Sequence, residues 1–409
     1  MTDQARDQAK ARVNRILNSD AFRHAAATLA AEHDRTVEDI ITLTEIPAPP
    51  FKEATRAAKW FAMAQAHGLT DMAIDAEGNV TGLRRGAGNG KLICVAAHLD
   101  TVFPEGTDVT VRRDGTKLLA PGVGDDTRSL AVLLAWLRAL DAAAIQTRAD
   151  ILFVADVGEE GAGDLRGMRY LFSQGPYKDR ISAFLTIDSP DMEQIVTGGV
   201  GSKRYRVTFH GPGGHSFGAF GVVNPLFAMA DAIARLGRVK VPAAPKTTYS
   251  ASVTGGGTSI NAIPNAVWTE FDLRSESAAH LATLEQDFFA LLAEAAAAEN
   301  TARSTANGKI TYTVTPIGDR PAGQTEQSQD VVRSARAAIE AHGYRVQYES
   351  SSTDANIPMS LGIPAIRIGS GGRGGRAHSL DEWIDVEPKE SIRGMTAGLA
   401  AVLAVADMI

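Results

Sequence analysis

The sequence predicts an α/β protein in two parts: a larger domain, residues 1–198 and 319–409, interrupted by a smaller α+β sandwich over residues 199–318. Three observations carry that reading. A chain of 409 residues is too long for one ordinary core, so two domains are the default expectation. Largely apolar runs of strand length, residues 92–97, 151–155 and 183–187, each lead into a histidine or an acid. Buried strands of an α/β sheet look like this, because their carboxyl ends open into the ligand crevice. Between residues 199 and 318, strand and helix patterns follow the order β-α-β-β-α-β, which closes into a self-contained sandwich of one sheet and two helices.

Along the chain, residues 4–33 read as one or two amphipathic helices with Val13, Ile16, Leu17, Phe22 and Leu29 facing inward. A short helix over 37–43 is closed by Ile46-Pro47-Ala48-Pro49-Pro50, since adjacent prolines cannot continue a helix. Helix returns over 52–66, and Glu77-Gly78-Asn79 turns between two short strands. The run ending at His98 is followed by a glycine- and proline-marked loop, 119–126, and by an apolar helix from Arg128 to Leu140. The strand over 151–156 leads into Gly158-Glu159-Glu160-Gly161. In the insert, strands are expected at 203–209, 246–255, 265–274 and 309–316, with helices at 224–237 and 277–299. The larger domain resumes with helix 327–342, strands 344–349 and 363–368, a glycine-rich turn at 369–375 and a closing helix at 388–408.

Composition excludes several classes of partner. The net charge is −7 and there is no basic block, which argues against nucleic acid or an anionic membrane. No stretch would span a bilayer, and the first residues lack the apolar core of a signal peptide. The single cysteine, Cys94, sits inside an apolar run and allows no intramolecular disulfide. A cytoplasmic protein is the expectation.

The chemistry concentrates at the ends of the buried runs. His98 and Asp100 would point the same way from a strand end. A metal-bound imidazole passes its other N–H to a carboxylate, so His-x-Asp can supply a ligand and its orienting partner. Alone, the tripeptide reads more readily as a strand that ends in polar residues. Taken together, His98, Asp125, Glu160, Asp188 and His378 form a set of two imidazoles and three carboxylates, all at strand ends or in glycine-marked loops. Such mixed ligation suits Zn²⁺, with Mn²⁺ or Co²⁺ as alternatives. Five ligands exceed one tetrahedral site with an open position; they fit two divalent ions if one carboxylate bridges them and a water fills the gap.

His98-Leu99-Asp100-Thr101, Gly124-Asp125-Asp126, Gly158-Glu159-Glu160-Gly161, Ile187-Asp188 and Ala377-His378 stand in the order and spacing of a known family. From about residue 36 to its end the chain resembles the di-zinc exopeptidases and amidohydrolases that include peptidase T, glutamate carboxypeptidase and aminoacylase-1. The resemblance implies a mixed-sheet α/β/α catalytic domain interrupted by a lid or dimerisation domain. It implies that His98 and Asp188 hold one metal, Glu160 and His378 the other, and that Asp125 bridges them. Asp100 would orient His98, and Glu159 would be the general base that takes a proton from the bridging water. In the insert, His215 of Gly213-Gly214-His215-Ser216 matches a histidine that stabilises the oxyanion, often across a dimer. Asn261 and Arg274 match substrate-holding positions, where an arginine would grip a carboxylate. The chain departs from many relatives at Asp126-Thr127-Arg128-Ser129, after the bridging acid, and at Ser189-Pro190, after Asp188.

The expected activity is hydrolysis of an amide C–N bond in a small substrate, a di- or tripeptide or an N-acyl amino acid, by a homodimer paired through the insert. Two other readings stay open: the same chemistry on a carbamate, amidine or aromatic amine, and a metal-retaining protein without turnover. Asp354 and Arg376 are candidate pocket residues that read more readily as structural, and His24, His33, His67, His210, His280 and His342 read as core or surface residues without carboxylate company.

Overall fold

The computed structural model describes residues 3–88 and 90–409. The chain divides into two units, one made of the residues up to Gly199 with Gln324–Ile409, the other of Val200–Gly323.

The larger unit is built on a mixed sheet. Its order is Thr70–Ile74, Val80–Arg84, Asp150–Asp156, Leu92–His98, Ile181–Ile187, Ala365–Ile368, Gln194–Gly199 and Gly323–Gln324, with Gln347–Ser351 also paired to Gln194–Gly199. Leu92–His98 lies in the middle, parallel to both neighbours, and Ala365–Ile368 continues the parallel set. On the other side Val80–Arg84 runs antiparallel to Asp150–Asp156, and Thr70–Ile74, antiparallel to it in turn, forms the edge. Side chains of the central strand alternate between two cores. Ile93, Val95 and Ala97 face the helices Arg128–Ala142 and Pro388–Val405, while Leu92, Cys94 and Ala96 face Met168 and Leu171 of the helix Arg166–Ser173. Covering both faces is what makes these runs continuously apolar rather than alternating. The parallel strands bring their carboxyl ends, with His98, Asp156 and Asp188, to one edge of the sheet.

Helices on that sheet are fixed by caps and by long-range bonds. Ser19 separates Asp3–Asn18 from Asp20–Ala31, its Oγ accepting from the Phe22 N–H at 3.2 Å, a cap worth about 1 kcal/mol. The buried Trp136 donates Nε1–H to the Met395 carbonyl at 2.9 Å and so ties Arg128–Ala142 to the closing helix.

The second unit is a four-stranded antiparallel sheet in the order Thr247–Gly256, Ala266–Ser275, Gly201–His210, Thr311–Arg320. Val267, Phe271 and Leu273 point into a core shared with Phe209 and with Phe288 and Leu292 of the long helix Ala278–Ala302. The insert runs past residue 318 to Gly323 because Thr311–Arg320 pairs with Gly201–His210 as far as Arg320 opposite Ser202. Sequence periodicity misses Gln194–Gly199, the helix Arg166–Ser173 and a small sheet of Arg112–Asp114, Lys117–Leu119, Trp383–Asp385 and Arg373–Gly375. Strands of three residues held by partners far along the chain leave no local pattern to read. Among the described residues, no helix is long and apolar enough to cross a membrane.

Candidate metal centre

His98 is the last residue of its strand and its side chain is buried. Its Nδ1 lies 2.9 Å from the Asp100 carbonyl oxygen, which can only accept, so Nδ1 carries a proton. Nε2 then faces Asp125 Oδ1 at 3.0 Å. The Asp100 side chain, expected to orient His98, meets the ring less closely than its own carbonyl does. Its carboxylate stands 3.7 Å from His98 Nδ1 and is engaged elsewhere: Oδ1 accepts the Glu159 N–H at 3.0 Å and Oδ2 the Glu160 N–H at 2.8 Å. The strand stops at His98, and the chain beyond it turns so that the carbonyl of Asp100, not its side chain, meets the ring. Asp100 therefore joins the His98 strand end to the Glu159–Glu160 turn.

Asp125 sits in the turn Val123–Thr127 ahead of the apolar helix, and the Asp125–Asp126 peptide is cis. Its second oxygen lies 3.1 Å from His378 Nε2, which is also 2.8 Å from Glu160 Oε1. Three overlapping groups result, each with its ligand-capable atoms within 4.8 Å of one another: His98, Asp125 and Asp188; Asp125, Glu160 and His378; His98, Glu159 and Glu160. All lie in the larger unit.

The electrostatics of the cluster follow from burial and crowding. Burial alone would raise the Asp125 carboxyl, but hydrogen bonds from His378 and His98 outweigh it and hold the group well below the carboxylate range. Burial raises Glu160 and Asp188. Burial would lower His98, yet Asp125, Asp126 and Asp100 raise it well above its ordinary value. His378 is pushed up to about 11 by its bonds to Asp125 and Glu160. One guanidinium stands near, Arg367 Nε at 3.9 Å from Asp188 Oδ2. Gathering this many carboxylates out of water is costly unless cations compensate them. With two imidazoles among mixed nitrogen and oxygen donors, the residues present fit a pair of divalent ions.

Around the cluster, Arg56 and Glu382 escape sequence reasoning, whereas Asp156 stands at the end of an expected strand and Asp354 in an expected loop. Asp156 and Asp354 are buried, and among the described residues no hydrogen-bond donor outside the pair meets their four oxygens. The two carboxyl groups instead share a hydrogen bond; burial lifts Asp354 well up and Asp156 to about 7. Arg56, fully buried, donates to the carbonyls of Leu99 at 2.6 Å and Ile46 at 2.5 Å, pinning the chain beside Asp100. Glu382 is also buried. The acids have no periodic signature, although Asp354 opens a short loop before a helix. Arg376 pairs with the exposed Asp381 at 3.0 Å. His67 does have a carboxylate neighbour, Asp141 at 3.4 Å, contrary to expectation; its position just before Gly68 gave no hint of that long-range contact.

His215, Asn261 and Arg274 lie in the second unit. His215 Nδ1 accepts the N–H groups of Phe217 and Gly218, both at 3.2 Å, which leaves the proton of the neutral ring on Nε2. Asn261 accepts the Ser216 N–H on its carbonyl at 2.9 Å and the Ser259 hydroxyl on Oδ1 at 2.6 Å. Arg274 Nε donates to Asp272 Oδ2 at 2.7 Å.

A solved aminopeptidase, PepT from Bacillus cereus, superposes with a TM-score of 0.74 at 20% identity, covering 92% of this chain and 99% of that one. A dinuclear metal-binding peptidase of the M20 family from Bacillus subtilis gives 0.67 at 17% identity, over 92% and 99% of the two chains. At these identities the likeness is one of fold. The chain is 28% identical over 245 residues to a succinyl-diaminopimelate desuccinylase from Leptothrix cholodnii, a match that spans 55% of this chain and 62% of that relative. The model of peptidase family M20/M25/M40 matches residues 94–406, a stretch that runs from the central strand to the closing helix and takes in every residue of the cluster. The chain belongs to that family.

Proposed function

We propose that the protein is a metal-dependent hydrolase that cleaves an amide C–N bond in a di- or tripeptide or an N-acyl amino acid. The observation that carries this reading is the pair of ligand groups that share Asp125, with Glu159 beside them. His98 and Asp188 would hold one divalent ion and Glu160 and His378 the other, zinc by donor set, with manganese or cobalt as alternatives. Bound there, the ions would supply a water of pKa about 7 and polarise the scissile carbonyl.

The chain's own residues divide the remaining work. Glu159, its backbone fixed by the Asp100 carboxylate, would take the water's proton and hand it to the leaving amine. The Nε2–H of His215 is the kind of preorganised donor that stabilises a tetrahedral oxyanion. Arg274, half-buried and turned by Asp272, would receive a free carboxylate, and Asn261 would hold the substrate backbone. We place the enzyme in the cytoplasm as a homodimer paired through the insert. The exposed Phe217, Phe220 and Ile260 and the edge strand Thr247–Gly256 support that pairing.

The test is hydrolysis of a panel of dipeptides, tripeptides, N-acyl amino acids and aryl amines by wild type and Glu159→Ala. The expected result is cleavage of a peptide or N-acyl class, reduced about 10²- to 10⁴-fold in Glu159→Ala with metal content kept. Cleavage confined to aryl amines, or an unimpaired Glu159→Ala enzyme, contradicts the proposal.

A further inference from the structure

Glu382 lies four residues beyond His378 and is 2% exposed. Its carboxylate collects three backbone donors from one turn. Oε1 accepts the N–H of Gly124 at 2.7 Å and of Asp125 at 2.9 Å, and Oε2 accepts that of Gly122 at 3.0 Å. The contact is reinforced on both sides: the Glu382 carbonyl accepts the Ala120 N–H at 3.1 Å, and its own N–H donates to the Ser379 carbonyl at 3.1 Å. The next residues, Trp383–Asp385, pair with Lys117–Leu119. The turn is shaped for this grip. Gly122 has φ +78°, and a Cβ there would lie 2.6 Å from Thr101 Cγ2; a Cβ on Gly124 would come within 3.2 Å of Glu382 Oε1 itself.

Three donors converging on one carboxylate form a concave anion cradle of charge-assisted bonds. Placing a further buried carboxylate near Asp125 works against electrostatics, so what it gains must come from what it holds. The segment it holds presents Asp125, and the segment it belongs to presents His378; these two side chains approach to 3.1 Å.

We propose that Glu382 is a positioning residue of the metal centre. It clamps the turn that presents Asp125 to the loop that presents His378, so that the shared carboxylate and the half-exposed imidazole meet a metal ion in register. This inference rests on the reading of the Asp125, Glu160 and His378 group as a metal site.

The experiment strips full-length wild type, Glu382→Ala and Glu382→Gln with chelator and titrates each with Zn²⁺ against a chromogenic competitor. Circular dichroism and thermal melts of the same samples report the fold. The expected result is a folded Glu382→Ala protein whose weaker Zn²⁺ step is about 10- to 100-fold poorer than in wild type. Glu382→Gln keeps an oxygen for Gly124 and Asp125 but turns an amide toward the Gly122 N–H, so it falls between the two. A folded Glu382→Ala protein that binds Zn²⁺ as tightly as wild type overturns the proposal. If the alanine variant fails to fold, the glutamine variant decides in the same way. Wild type that binds no Zn²⁺ overturns the metal reading and this inference together; wild type that binds it and variants that match it overturn this inference alone.

Discussion

At the scale of single residues, the carboxyl pair Asp156–Asp354 and the imidazole of His378 make the firmest demands. Two buried carboxyls face each other, and among the described residues no other donor meets their oxygens. Burial raises Asp156 to about 7, above its value in an unfolded chain. A raised folded value contributes stability that is present at low pH and is lost as pH climbs through about 7. Urea melts of chelated protein across that window should therefore show a fall in wild type that Asp354→Asn lacks, because an amide donates to Asp156 without the proton. Asp354→Ala removes the partner altogether and should cost roughly 1–3 kcal/mol. His378, pushed up to about 11, must lose its proton before its Nε2 can serve as a ligand. Zn²⁺ binding should accordingly tighten with rising pH and release protons, read as a dependence of the calorimetric heat on buffer ionisation. A heat that is the same in every buffer contradicts this.

At the scale of elements, the Glu159–Glu160 turn shows how a strand end becomes a site. Asp100 accepts both of its N–H groups, and Gly158 ahead of it takes φ +70°. A Cβ at that position would lie 2.5 Å from Arg166 Cγ, and Arg166 cannot easily withdraw because Glu53 and Glu77 hold it at 2.6 and 2.9 Å. Gly158→Ala should destabilise the protein by about 1–3 kcal/mol and lower kcat more than it changes KM. The same turn separates what the sequence discloses from what it hides. The strands that lead to His98, Asp156 and Asp188 were legible because burial on both faces writes an uninterrupted apolar run. The contacts of Asp100 with the Glu159 and Glu160 N–H groups were not, since alternation describes residues within a strand and Asp100 lies past its end. Glu382 was hidden for a related reason: its partners are backbone N–H groups some 260 residues earlier, and backbone donors have no letter in the sequence.

At the scale of the whole molecule, the chain joins a mixed sheet that gathers ligands to an insert that carries His215, Asn261 and Arg274. The order of strands and helices in that insert was readable from period alone, because Ala266–Ser275 alternates inward and outward along its full length. Its far boundary was not, since the last pairs of Thr311–Arg320 fall where the apolar pattern has already ended. If the exposed Phe217 and Phe220 and the edge strand pair two copies, light scattering should give the mass of a dimer. Phe217→Ser with Phe220→Ser should shift it toward the 43.2 kDa chain.

The proposed hydrolase stands on Asp125 joining two divalent ions. It is tested most directly by dialysing chelator-stripped wild type and Asp125→Ala against Zn²⁺ and counting the metal retained by each folded protein. About two ions per wild-type chain are expected, and about one or fewer in Asp125→Ala. A wild-type protein that retains none, or an Asp125→Ala protein that still retains both, would contradict it.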